Sequence, residues 1–424
     1  MAAASFVRFT ELRLLLPASA YILTGAAVIY LGRPETDLRV LLAAAGAVAG
    51  FFLVSLVWGW QGYYGDQFIL PLVAVLTGTG LIFLWRLNSV YALKQVTWLA
   101  VGLVALLLVT RFLRGRTGIF TEYKYIYAVA GVLGLLLPIF LGVELGGYKS
   151  WLDLGFAHVQ PSEFVKILLV LFLAAFLEEN RRLLTGGHSK FLGVYVPQRQ
   201  EWGPLLAMWG VSLLLLVFQK DLGTALVYFA TFLVMVYAAT ARISYMAAGI
   251  FLFGLGAVIS YNFFSHVRGR VDVWLNPWQS HLVEGSGYQV IQSLFAIRAG
   301  GMVGTGFDLG YPGFIPAVHT DFIFAAICEE MGLLGGAGVL LLFIILVYRG
   351  CLIALQARDD FSVLAATGLT SLLALQVFII VAGVTKMLPL TGIVLPFISY
   401  GGSSLVANFI LVGLLLNLSH ELKK

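Results

Sequence analysis

Twelve apolar stretches, each close to the length of a bilayer crossing, constrain this chain more than any other feature. They lie near 14–32, 38–60, 68–86, 94–113, 123–143, 162–178, 204–219, 222–240, 242–264, 321–348, 361–382 and 398–418. About 20 residues of helix cross the hydrocarbon core. Lipid offers no partner to a bare N–H or C=O, so only helices and closed barrels span it. The stretches are continuous rather than alternating, which selects helices. Composition agrees: 60% of the 424 residues are hydrophobic and 11% charged, against about 25% charged in a soluble domain. The predicted fold class is therefore all-α, a polytopic membrane bundle of about twelve transmembrane helices with one long extracytoplasmic loop.

The first stretch has no small-residue cleavage site after it and reads as a retained helix. Cys328 lies within an apolar run and Cys351 just beyond its far end, so neither a disulfide framework nor a thiolate metal site is implied. The net charge of +5 says little about nucleic acid; which loops hold the basic residues matters more. With both termini in the cytoplasm, 15 of the 26 Lys and Arg residues fall on that side, including the clusters "RFLRGR" and "ENRRLL". Two informative segments are then extracytoplasmic, 143–160 and the loop of 265–320. A loop that long is usually functional or disordered, and its interleaved Trp, Ile and Gly predict one that folds against the membrane face.

Several polar groups interrupt the apolar pattern. In "QPSEFVK", Glu163 and Lys166 stand three apart on one helical face, as a local ion pair or as the charged wall of a polar cavity. "FQKDLGTAL" puts Lys220 and Asp221 at a hairpin between the seventh and eighth stretches, as helix-terminating residues or as part of that cavity. "HVRGRVDVWLNPW" supplies Arg268 and Arg270 beside Trp274 and Trp278, a pattern that suits phosphate and sugar and equally a lipid-headgroup anchor. "GGMVGTGFDLG" lacks the Lys-Ser/Thr of a nucleotide loop, which rejects an ATP site. "HTD" at 319–321 has no third ligand nearby, which argues against zinc. "LPLTGIVLPFISYGGSS" at 388–404 predicts broken backbone at membrane depth, tolerated only where protein buries it or it lines a cavity. Asp321 opens an apolar run as an N-cap would, and Glu329 and Glu330 lie about two turns deeper, one of them a candidate partner for Lys166.

Five blocks stand in a characteristic order: "KSWLDLG…QPSEFVK", "QKDLGTAL", "GYQVIQSLFAIRAGGMVGTG", "HTDFIFAAICEEMGLLG" and "LPLTGIVLPFISYGGSS". In them the chain resembles the SEDS proteins, the RodA/FtsW-like peptidoglycan glycosyltransferases, over roughly 66–418. The resemblance implies a ten-helix core at 63–424 and an extra N-terminal helix pair at 1–62. It implies an enzyme that polymerises lipid II, a disaccharide-pentapeptide on undecaprenyl pyrophosphate, at the outer face of a bacterial cytoplasmic membrane. A class B penicillin-binding protein is the implied partner; nucleic acid is not. The family's proposed catalytic aspartate falls on Asp321. Trp151, Glu163, Lys166 and Asp221 fall on its other blocks, and His319, Ser399 and Ser403 join them as substrate-binding candidates. Departures exist: Lys220 replaces a proline, Ala317 stands where glutamate is common, and Gly313 where a further acid is often found.

On this reading Asp321 is the base that takes a proton from the acceptor 4-hydroxyl, its basicity raised by partial desolvation at the membrane boundary. Lys149, Lys166, Arg268 and Arg270 are candidates for the pyrophosphate. A divalent cation, Mg or Mn, bridging to Asp321 or Glu163 is left open. A flippase or transporter of the lipid-linked precursor is the alternative, favoured by the polar cavity and opposed by the lack of a repeat. A scaffold without chemistry is a third class, and it has no need of acids at a cavity mouth.

Overall fold

The computed structural model describes residues 8–422 apart from 34–36, 117, 146–147, 154, 156, 187–188, 192–193, 197–209 and 211–220. Ten helices among the described residues are long and apolar enough to cross a membrane. They are α1 (Phe9–Gly32), α2 (Arg39–Trp60), α3 (Ile69–Leu87), α4 (Ser89–Phe112), α6 (Lys124–Leu141), α8 (Leu222–Thr240), α9 (Ile243–Phe263), α13 (Ile323–Gln356), α14 (Asp360–Val384) and α15 (Gly402–Glu421). The predicted stretch 162–178 lies in α7 (Ser162–Gly186), which carries Glu163, Lys166, Glu178 and Glu179. The predicted stretch 204–219 lies outside the described residues except for Gly210. Short helices complete the set: α5 (Gly118–Glu122), α10 (Ser265–Leu275), α11 (Ser280–Val283) and α12 (Tyr288–Gly300). The predicted long loop 265–320 is thus about half helical, with a 3-10 turn at Pro312–Phe314.

The only strands among the described residues are short. β1 (Val143–Leu145), β2 (Tyr148–Asp153) and β3 (His158–Val159) form an antiparallel sheet in the segment 143–160, and β4 (Ser189–Phe191) pairs with β5 (Val194–Val196).

The chain divides into two compact units. Unit 1 holds residues 1–114, 272–349 and 376–424; unit 2 holds 115–271 and 350–375. In unit 1, α3 and α15 are the most buried spans, because neighbouring helices rather than lipid cover them. At one end of unit 1, three arginines converge on the segment after α2. Arg8 is fully buried, pairs with Glu11 and donates to the carbonyls of Tyr63 (3.0 Å) and Gly65 (3.2 Å). Arg114 donates to the carbonyls of Gln61 (3.0 Å) and Gly62 (2.9 Å), and Arg349 pairs with Asp66. The buried charge of Arg8 is tolerated because its guanidinium meets Glu11, the carbonyls of Tyr63 and Gly65, and the rings of Trp58 and Tyr63. In unit 2, Phe120 stacks on Phe361 at 5.9 Å, and α6, α7 and α8 pack in sequence.

The helix predicted at 321–348 departs from regularity. α13 breaks at Gly332, whose φ of 68° and ψ of −174° are reached by almost no residue but glycine. A break at membrane depth strands carbonyls on one side and N–H groups on the other. The glycine-rich segment after α12 supplies both kinds of partner. Thr305 N donates to Glu329 O (2.9 Å) and Gly306 N to Glu330 O (3.2 Å); Leu333 N donates to Gly301 O (2.9 Å) and Leu334 N to Met302 O (3.1 Å). "GGMVGTG", unsuited to nucleotide, is the cap of a broken helix. Its side-chain-free backbone is what can approach this closely.

Candidate active site

Asp321 sits in unit 1, half-buried, just before Phe322, whose carbonyl accepts the first helical bond of α13 from Ala325 N (2.9 Å). The N-terminal end of the α13 half-helix thus lies beside a carboxylate, which its dipole favours. The preceding residues form a docked turn: Thr320 N donates to Ala317 O (3.0 Å), with Ala317 in the left-handed region at φ 56°.

The turn is held by the predicted broken segment, which runs irregularly from the end of α14 to α15. Ser399 Oγ donates to Thr320 O (2.5 Å) and accepts from Leu395 N (2.9 Å). Tyr400 N donates to His319 O (2.8 Å). From α4, Gln95 Nε2 donates to Ser399 O (3.2 Å), while its Oε1 accepts from Gly401 N (3.3 Å). The His319 ring stacks on Tyr91, centroids 4.4 Å apart, and Tyr91 lies 4.7 Å from Tyr400. Burial pushes the His319 imidazole below its usual value of 6.5, because a desolvated imidazolium is disfavoured. Gly80 of α3 permits this fit: a Cβ there would strike the backbone of Ile398, including its carbonyl oxygen. Ser403 is buried in the first turn of α15.

The far end of the half-helix is an ionic knot. Glu330 accepts from Arg86 Nε (2.9 Å) and from Asp308 N (3.2 Å), and Asp308 pairs with both Arg86 and Arg33. Glu329 Oε1 accepts from Tyr311 N (2.8 Å). Arg86, a stronger fork of donors at the end of α3, neutralises Glu330, and Lys166 is bonded to Glu163.

Unit 2 carries the other predicted residues. Lys166 Nζ donates to Glu163 Oε2 (2.6 Å), both buried, so the i,i+3 spacing forms the predicted pair. Asp221 caps α8 through Thr224 N (3.1 Å) and accepts from Gln160 Nε2 (3.2 Å). It is buried rather than exposed, and burial raises its pKa above the usual 3.8. Tyr228 OH donates to Ser162 O (2.7 Å). Trp151 is half-buried on β2, paired in register with Val143. Lys149 contributes backbone to β2, its side chain lying outside the described residues, and Lys220 lies outside them altogether. Arg268 is exposed and donates to the carbonyls of Tyr261 (3.4 Å) and Asn262 (3.1 Å), closing the end of α9. Arg270 is half-buried.

Sequence reasoning did not single out Gln95, Tyr91, Tyr400, Arg86 or Asp308. A signal existed for Gln95, a lone amide inside an apolar run, and for Arg86 at the end of one.

A family model described as a cell cycle protein, for the FtsW, RodA and SpoVE group, matches residues 64–424. This chain belongs to the FtsW/RodA/SpoVE family. Among similar proteins, peptidoglycan glycosyltransferase RodA of Mycobacterium tuberculosis H37Rv is 42% identical over 374 residues, 85% of this chain and 79% of its own. The Mycobacterium leprae RodA is 40% identical over 96% of this chain and 90% of its own, so that likeness reaches into the residues before 64. Stage V sporulation protein E of Bacillus subtilis is 34% identical over 84% of this chain and 96% of its own. Among solved structures, a chain of a peptidoglycan synthase complex that coordinates polymerization and crosslinking superposes with a TM-score of 0.71 at 27% identity. It covers 85% of this chain and 99% of its own length. RodA of Thermus thermophilus gives 0.63 at 26% identity, covering 86% and 99%.

Proposed function

We propose that this family member is a peptidoglycan glycosyltransferase that polymerises lipid II at the outer face of a bacterial cytoplasmic membrane, with Asp321 as general base. The observation that carries the reading is the built seat of Asp321. A half-buried carboxylate stands at a helix N-terminus, on a turn that Ser399, Gln95 and Tyr400 hold by hydrogen bonds. A base needs that kind of fixed geometry before its pKa matters.

The reaction asks for a proton acceptor at the attacking 4-hydroxyl, charge stabilisation at the departing pyrophosphate, and both lipid tails kept in the bilayer. An α-linked donor and β-linked product require one inverting displacement, for which a single base suffices. Asp321 accepts the hydroxyl proton as oxygen attacks the anomeric carbon, and the pyrophosphate leaves with the electrons of the broken C–O bond. The pyrophosphate candidates that the sequence offers, Lys149, Lys166, Arg268 and Arg270, all belong to unit 2. Lys166 is already paired with Glu163, and Arg268 already serves two carbonyls. Among the described residues no three His, Cys, Asp or Glu side chains gather as metal ligands; a divalent cation on the pyrophosphate would need only one or two carboxylates. Both termini are assigned to the cytoplasm, and a class B penicillin-binding protein to the partner role.

Asp321→Asn keeps the shape and removes the base. Purified protein supplied with labelled lipid II should make glycan chains on a gel, and the variant should make at least about a hundredfold less. Near wild-type polymerisation by the variant would refute the base. Lipid scrambling in vesicles without chain formation would instead identify a flippase.

A further inference from the structure

The first helix of the N-terminal pair ends in a contact that reaches the functional half-helix. Arg33, the C-cap residue of α1, precedes the region that the family model matches. Its guanidinium grips Asp308 with two bonds, Nε to Oδ2 at 2.7 Å and Nη2 to Oδ1 at 2.5 Å, and donates from Nη1 to the carbonyl of Arg86 at 3.2 Å. Paired forks of this kind fix orientation as well as charge.

What Asp308 belongs to gives the contact its meaning. It lies in the left-handed region at φ 67°, in the loop that caps the break of α13. Its own N–H meets Glu330, Arg86 bonds the carbonyl of Gly310 (2.9 Å), and Tyr311 N meets Glu329. Thr305 and Gly306 cover the last carbonyls of the half-helix. That half-helix runs from Ile323 to the break at Gly332, about 14 Å at 1.5 Å per residue. Asp321 sits at its other end. A rigid rod this short transmits displacement of one end to the other.

We propose that Arg33 is a positioning residue for Asp321: by holding Asp308 it keeps the capping loop seated on the α13 break, and so makes the N-terminal helix pair part of the catalytic framework. The catalytic half of this statement rests on the reading of Asp321 as the base. The seating of the loop does not.

The test uses the full-length chain in lipid nanodiscs with two readouts. Hydrogen exchange is followed for amides of 304–311 and 325–331, and kcat and KM are measured with lipid II. Arg33→Gln should raise exchange in both segments about tenfold and lower kcat about tenfold, with KM within about twofold. Arg33→Lys should recover part of each. Arg33→Gln combined with Asp308→Asn should lose much less than the sum of the two single effects, since they share the contact and only the bond from Arg33 to the carbonyl of Arg86 is lost in addition. Arg39→Gln, which removes only the exposed pair with Asp37, is the control and should change neither readout. Unchanged exchange in Arg33→Gln overturns the seating. Raised exchange with unchanged kcat, or a loss confined to KM, overturns the positioning role. Asp321→Asn in the same assay separates the two levels: if it stays active the base assignment falls, while the exchange result still decides whether Arg33 seats the loop.

Discussion

Replacing Gly332 with alanine tests the broken helix on which the site depends. At φ 68° and ψ −174° an L side chain is strained by about 1–3 kcal/mol. Space makes it worse, because the new Cβ would overlap the N of Gly304 and the carbonyl of Met302. These are backbone atoms of the capping loop, and they cannot rotate away as a flexible side chain would. The loop must retreat, breaking at least two of the bonds Leu333–Gly301, Leu334–Met302, Thr305–Glu329 and Gly306–Glu330, worth about 1 kcal/mol each. The sum is about 3–5 kcal/mol. Scaling unfolding entropy to a chain of this length converts that to a loss of roughly 3–5 °C in melting temperature. Thermal unfolding in detergent measures it, with Gly338→Ala as control, since a Cβ there meets nothing within 4 Å in the same helix. Alanine favours helix, so Gly332→Ala also drives α13 toward continuity and should depress polymerisation at least tenfold. A variant that melts and polymerises like wild type would show that the break is neither required nor strained, and the account of the half-helix would fail.

Two further outcomes follow from the seat of Asp321. Ser399→Ala removes a buried hydroxyl that both donates to Thr320 O and accepts from Leu395 N, which should cost about 2–3 kcal/mol and lower kcat with little effect on KM. Ser399→Thr should restore most of it, whereas equal loss in both variants would argue against the hydrogen-bond role. The second concerns pH. His319 is held below 6.5 by burial, so its folded form binds a proton less readily than its unfolded form. Its stabilising contribution is complete above about pH 6.5 and declines as pH falls from there toward the lowered folded value. The melting temperature should drop between about pH 7.5 and pH 5.5, and His319→Gln should flatten that drop; a slope unchanged in the variant would assign it to other groups.

The membrane class, ten of the twelve approximate spans, the Glu163–Lys166 pair and the broken segment before α15 were legible in the one-dimensional pattern, whereas Asp321 as a base came from the family resemblance. Each legible feature is a local property: hydropathy over one helix, spacing of three on a helical face, or prolines and glycines that no regular backbone accommodates. Glu329 and Glu330 show where locality ends. Sequence placed them two turns beyond Asp321 in one helix and offered Lys166 as a partner, but nothing nearby in the chain announces Arg86, Asp308 or Arg33. Those partners stand 244, 22 and 275 positions from the residues they bind.

By itself the sequence determined that this chain must cross the membrane many times, because free backbone and free charge are both too costly in hydrocarbon to allow otherwise. It also marked 388–404 as a stretch where no regular helix could run, while the break at Gly332 was not announced. Only the tertiary structure decided which groups answer those irregularities: a glycine-rich loop for the stranded ends at Gly332, Ser399 and Gln95 for the turn before Asp321, and an N-terminal arginine for Asp308. Such pairings are set by how helices pack side by side, and that packing brings together residues that the order of the chain keeps apart.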